Sequence, residues 1–74
     1  MKVSPIGSNM TEVTLSNGTR ILYSYETPVA ARLEDGTAIR SEIFFSKTTS
    51  KHINKYLGKG VGEVVNQSVL EQLA

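Results

Sequence analysis

Apolar and polar residues alternate with period two through Thr11-Glu12-Val13-Thr14-Leu15, which predicts a half-buried strand. Thr19-Arg20-Ile21-Leu22-Tyr23-Ser24-Tyr25 is rich in β-formers and predicts a second. The faces of these two strands select the turn between them. A two-residue loop at Asn17-Gly18 would pair Leu15 with Arg20 and Val13 with Leu22. A three-residue loop, Ser16-Asn17-Gly18 with Gly18 left-handed, pairs Leu15 with Thr19 and Val13 with Ile21, and puts Val13, Leu15, Ile21 and Tyr23 on one face. Burial favours the second register.

The same device recurs downstream. Leu15-Ser16-Asn17-Gly18-Thr19-Arg20-Ile21 is echoed by Leu33-Glu34-Asp35-Gly36-Thr37-Ala38-Ile39, which pairs Leu33 with Thr37 and Ala31 with Ile39. Shared turn chemistry accounts for the echo. Between the two hairpins, Pro28 holds Thr27 extended and removes one ladder donor, giving either a tight corner or an edge-strand bend. The fourth strand is expected to run on through Ile43 and Phe45.

From Ser46 the period changes to that of a helix. Lysines fall at 47, 51, 55 and 59, one ridge of an amphipathic helix, while Ile53, Tyr56 and Leu57 take the other side. Thr48 is the expected N-cap and Gly58 the left-handed stop. After Gly58-Lys59-Gly60-Val61-Gly62, read as a hinge, the tail predicts a short second helix capped by Asn66, with Val65 packed on Leu70. A helix this short needs a surface, so Val69, Leu70 and Leu73 are expected to dock on the sheet or on another subunit.

The expected fold is therefore α+β: an antiparallel four-stranded β-meander packed by one amphipathic helix, with a short C-terminal helix. Residues 1–74 form one small domain, in which 1–10 are a loose N-terminal segment and 58–74 a glycine-rich hinge and tail helix. No apolar run is long enough to cross a bilayer, and Met1 to Gly7 lack the apolar segment of a signal peptide.

Composition narrows the chemistry. With no cysteine, one histidine and one aspartate, thiolate and structural metal sites are not expected. A net charge of +1 fits neither a nucleic-acid mimic nor a coat. His52 has no evident acidic partner, the glutamates are scattered, and the glycine run follows a helix where a phosphate cradle would precede one. No catalytic residue, cofactor or metal is assigned, and the chain is not read as an enzyme. What is left is a contact surface. Lys47, Lys51, Lys55 and Lys59 suit an anionic partner, with Arg20, Arg32 and Arg40 contributing if they point the same way. His52 lies at the boundary of the helix's two faces.

Two stretches carry a resemblance: Ser24-Tyr25-Glu26-Thr27-Pro28-Val29-Ala30, and Ser46 through Leu57 with Thr48-Thr49-Ser50-Lys51-His52-Ile53-Asn54 at its centre. They resemble a family of small, mostly uncharacterised proteins of tailed bacteriophages and prophages. That resemblance implies a phage origin and a place in the host bacterial cytoplasm, and it singles out Tyr25, Thr27, Pro28, Thr49, His52, Ile53 and Asn54. It brings no activity with it. The expectation is a non-enzymatic binding protein that inhibits or redirects a bacterial host or defence protein, using Lys47, Lys51, His52, Lys55, Lys59, Tyr25 and Phe44. The alternative is an oligomeric nucleic-acid or nucleotide binder working through the lysine ridge. On either reading a homo-oligomer through the C-terminal tail is expected.

Overall fold

A computed structural model describes residues 1–73. The elements are β1 (Lys2–Gly7), β2 (Met10–Thr14), β3 (Arg20–Ser24), β4 (Thr27–Arg32), β5 (Ala38–Ser41), α1 (Lys47–Leu57), β6 (Glu63–Val65) and α2 (Gln67–Leu73). The fold is α+β, but its sheet has six strands in the order β1-β2-β3-β4-β5-β6, not four. Neighbours are antiparallel except β5 and β6, which run parallel with α1 as their crossover.

Both expected hairpin registers are present. Val13 pairs with Ile21 and Ala31 with Ile39. The Leu15 and Leu33 N–H groups donate to the Thr19 and Thr37 carbonyls at 2.8 and 2.7 Å, closing each three-residue loop. Gly18 and Gly36 take φ values of +93° and +91°, the left-handed region that glycine enters without penalty.

The two strands beyond the meander come from segments expected to be irregular. Residues 1–10 are not loose: Lys2–Gly7 pairs antiparallel with β2, with a bulge between Pro5 and Gly7. Exposed Pro5 suits an edge strand, where a missing donor costs little. At the other edge, Glu63–Val65, between the expected hinge and the tail helix, pairs with Ile39–Ser41. Neither segment has a clear period, because five of the six β1 residues are exposed and β6 is only three residues long. The fourth strand is shorter than expected, ending at Ser41, where the Ser41 hydroxyl accepts the Ile43 N–H at 3.1 Å and turns the chain.

Helices cover the sheet on opposite faces. Leu22, Val29 and Ala30 pack with Met10 under Ile53 and Leu57 of α1. Ile21, Ala31 and Ile39 pack under Leu70 of α2, flanked by Leu15, Tyr23, Val65 and Leu73. Central strands buried on both faces lose their polar alternation, as in Ile21-Leu22 and Val29-Ala30-Ala31. Pro28 sits inside β4 because Leu22 pairs with Ala30 and Tyr23 with Pro28, leaving Val29 as the extra residue of a bulge. The buried Gln67 side-chain amide donates to the Pro28 carbonyl at 2.8 Å, while its own Oε1 has no partner among the described residues. The tail helix docks on its own sheet: Leu70 is 0% exposed, and Val69 remains at the surface.

Candidate functional site

The framework of the site is the junction of β3 with the first turns of α1. The N-cap is Ser46 rather than Thr48. Ser46 is extended, and its hydroxyl accepts the Thr49 N–H at 3.1 Å, so the helix begins at Lys47. Thr49 thereby faces inward. Its hydroxyl receives that of Ser46 at 3.2 Å and lies 3.0 Å from Ser24 Oγ, which lies 2.8 Å from His52 Nδ1. Four side chains form one polar chain between sheet and helix.

A serine beside a histidine suggests a nucleophile and its base, but Ser24 is 2% exposed and its hydroxyl is already shared with Thr49. Among the described residues no carboxylate is hydrogen-bonded to His52. The arrangement aligns α1 on β3 and orients the imidazole, whose outer side meets the Tyr25 ring at a centroid distance of 6.2 Å.

Tyr25 is the unusual residue of this region. It opens the two-residue turn between β3 and β4 with φ of +59°, uncommon for a bulky side chain, and its side chain is 52% exposed. Asn9, in the neighbouring turn, has φ of +59° too, and its carbonyl accepts the Tyr25 N–H at 2.7 Å. Together with Thr11, Glu26 and Thr27 these residues line a shallow cleft of about 730 Å³. Backbone strain of this kind costs of order 1–3 kcal/mol and tends to collect where a protein meets a ligand or partner.

The strand directions put the Phe44 loop at the same end of the molecule, since β5 runs toward the end where β3 finishes and β4 begins. Ile43, Phe44 and Phe45, expected to extend a strand, are exposed, with Phe44 at 71%. The loop is anchored: the Glu42 N–H donates to the Val65 carbonyl at 2.8 Å, the Glu42 carboxylate accepts from Asn66 Nδ2 at 3.0 Å, and Ser46 caps α1.

Lys47, Lys51, Lys55 and Lys59 are all exposed, opposite the buried Ile53 and Leu57. They do not gather at one place. Eleven helical residues span about 16 Å, so Lys47 lies at the Tyr25 and Phe44 end while Lys55 nears the far end. Lys59 lies beyond the helix, past Gly58. At that far end Arg40 donates to the Val61 carbonyl at 2.7 and 3.0 Å and to Asn54 Oδ1 at 3.0 Å. It is spent on holding the helix exit. On the outer flank of α1 the Tyr56 hydroxyl donates to Glu12 Oε2 at 2.6 Å. Burial, then the hydrogen bond and charge of Glu12, raise the Tyr56 pKa far above the ordinary phenol range.

Sequence reasoning singled out Tyr25, Phe44 and His52, which the fold brings to one end of the molecule, but not Ser24, Asn9 or Thr11, which lie beside them. Their roles depend on which strands and turns lie side by side. Among the described residues no three His, Cys, Asp or Glu side chains gather as a metal site, and no helix is long and apolar enough to cross a membrane. Comparison with curated proteins and with solved structures returns no match. A family model does match, over residues 1–72, and by that match the chain belongs to the family of unknown function DUF8033.

Proposed function

We propose that this chain is a phage-encoded, non-enzymatic binding protein whose Tyr25 and Phe44 end seats on a bacterial host or defence protein and inhibits or redirects it. One observation carries the reading: an exposed phenylalanine stands in a loop anchored by hydrogen bonds on either side of it. A hydrophobic anchor held in place before binding loses little side-chain and loop entropy on docking, and buried aromatics dominate the energetics of many interfaces. Tyr25, fixed by its turn and backed by His52, supplies a second anchor, and Lys47 and Lys51 give the rim a positive charge that speeds encounter with an acidic surface. The phage origin rests on the resemblance of the Tyr25 and His52 segments.

The test is affinity purification of the tagged protein from phage-infected cells, followed by mass spectrometry. A stoichiometric bacterial partner, lost on Phe44→Ser while the melting temperature is kept, supports the reading. Recovery of the same partner by Phe44→Ser and Tyr25→Asn alike would remove this surface from the interface, and recovery of no partner at all would remove the function.

A further inference from the structure

Arg20 and Arg32 are direct partners across β3 and β4. Both stand on the α1 face, two residues along from Leu22 and Ala30, which pack under that helix. Directly opposed side chains begin about 5 Å apart, and like charges so placed repel. The row continues through Thr14 to Lys2, so a line of about 14 Å across four strands carries three cations. α1 packs over β3 and β4, leaving this face of β1 and β2 largely open, and Lys2 and Arg20 are exposed there. The carboxylate nearest in register, Glu12, lies diagonal to Arg20 and is engaged by the Tyr56 hydroxyl. Glu34 sits on the adjoining hairpin tip, its Cβ close to Gly18.

We propose that the row Lys2–Thr14–Arg20–Arg32 binds the phosphate backbone of single-stranded nucleic acid. Arg32 Nη2 also donates to the Leu57 carbonyl at 3.5 Å, a long bond that leaves its other N–H groups for a ligand. The two adjacent guanidinium groups therefore share the oxygens of one phosphate, and an anion between them relieves their repulsion. Lys2 meets a further phosphate along the strand, with the Thr14 hydroxyl between. The half-buried Tyr56 ring, packed on the α1-side core and bonded to Glu12, borders the row on the α1 flank, and stacking on its exposed part would favour an unpaired base, which a duplex does not present. This surface lies at the opposite end of the strands from the Tyr25 turn, so it is a second site, independent of the one above.

Fluorescence anisotropy with labelled oligo-dT and oligo-rU tests it on the full chain. Two engaged phosphates predict affinity falling about sevenfold between roughly 50 and 200 mM salt. The double variant Arg20→Gln, Arg32→Gln should weaken binding at least tenfold at low salt and flatten the log–log salt slope by about 0.7. Its melting temperature should change little, because relief of the like-charge repulsion offsets loss of the long Arg32 contact with the Leu57 carbonyl. If it does fall, Lys2→Gln, at an exposed strand end, should flatten the slope by about 0.7. Lys47→Gln, at the other end of α1 and on the rim of the first surface only, should leave oligonucleotide affinity and its salt slope unchanged. Absence of binding at about 50 mM salt, equal affinity for a duplex of the same length, or equal loss in Lys47→Gln overturns the proposal.

Discussion

Ser24 Oγ stands 2.8 Å from His52 Nδ1, joining a central strand to the flank of a helix 28 positions later in the chain. With Thr49 on the same hydroxyl, this contact sets how far along β3 the helix lies, and so where Tyr25 finds a backing surface. Buried polar groups that satisfy one another specify a single alignment in a way apolar contacts do not.

Replacing Ser24 by Ala removes the shared hydroxyl and leaves His52 Nδ1 without its partner. The expected loss is about 1–3 kcal/mol, read as a lower urea midpoint with an unchanged slope. In so small a domain that is a large part of the total stability.

The Tyr56–Glu12 contact gives an alkaline signature. The phenol is raised in the folded state, so its contribution is complete below the unfolded value, near 10, and fades as pH rises above it toward the folded value. Tyr56→Phe should lower stability at neutral pH by about 1 kcal/mol, since the contact is only half-buried, and should flatten the decline above about pH 10. Thermal melts from neutral to alkaline pH check both.

Asp35 acts in the acid range. Its carboxylate accepts the Thr37 N–H at 2.9 Å, and hydrogen bonds from Thr37 hold its pKa below the ordinary value. Stability from this group is present above the unfolded pKa and lost as pH falls through the folded one. Asp35→Ala should make the β4–β5 turn insensitive to acid, seen in its amide chemical shifts below about pH 4.

Tyr25 separates folding from binding. Asparagine tolerates positive φ better than a bulky aromatic, so Tyr25→Asn should leave stability within about 0.5 kcal/mol of the parent. Partner affinity should nevertheless fall at least tenfold, about 1.4 kcal/mol, by titration calorimetry.

Arg40 holds the exit of α1 through a planar fork that lysine cannot copy. Arg40→Lys should cost about 1 kcal/mol, with faster hydrogen exchange at Gly58 and Val61, whose N–H groups donate to the Asn54 and Gly58 carbonyls.

Local chemistry accounts for what was readable in advance. Asn17-Gly18 and Asp35-Gly36 encode their loops within a few residues, and the choice of buried face then sets the pairing of Val13 with Ile21. The 3.6-residue period of Ile53, Leu57 and the lysines, with Gly58 after them, defines α1 and its outward ridge. These depend on near neighbours, and a linear reading reaches them. The first strand and the last could not be seen that way. Edge strands three to six residues long gain their identity from the partner beside them, not from a period of their own. Nor could the chain announce that Ser24 meets His52, that Asn9 props Tyr25, or that Arg20 opposes Arg32. The last pairing depends on the residue inserted at Val29, which shifts the register between β3 and β4 by one. Long-range packing energy chose among registers that local preferences left nearly equal, and it thereby placed every side chain to which a role is assigned here.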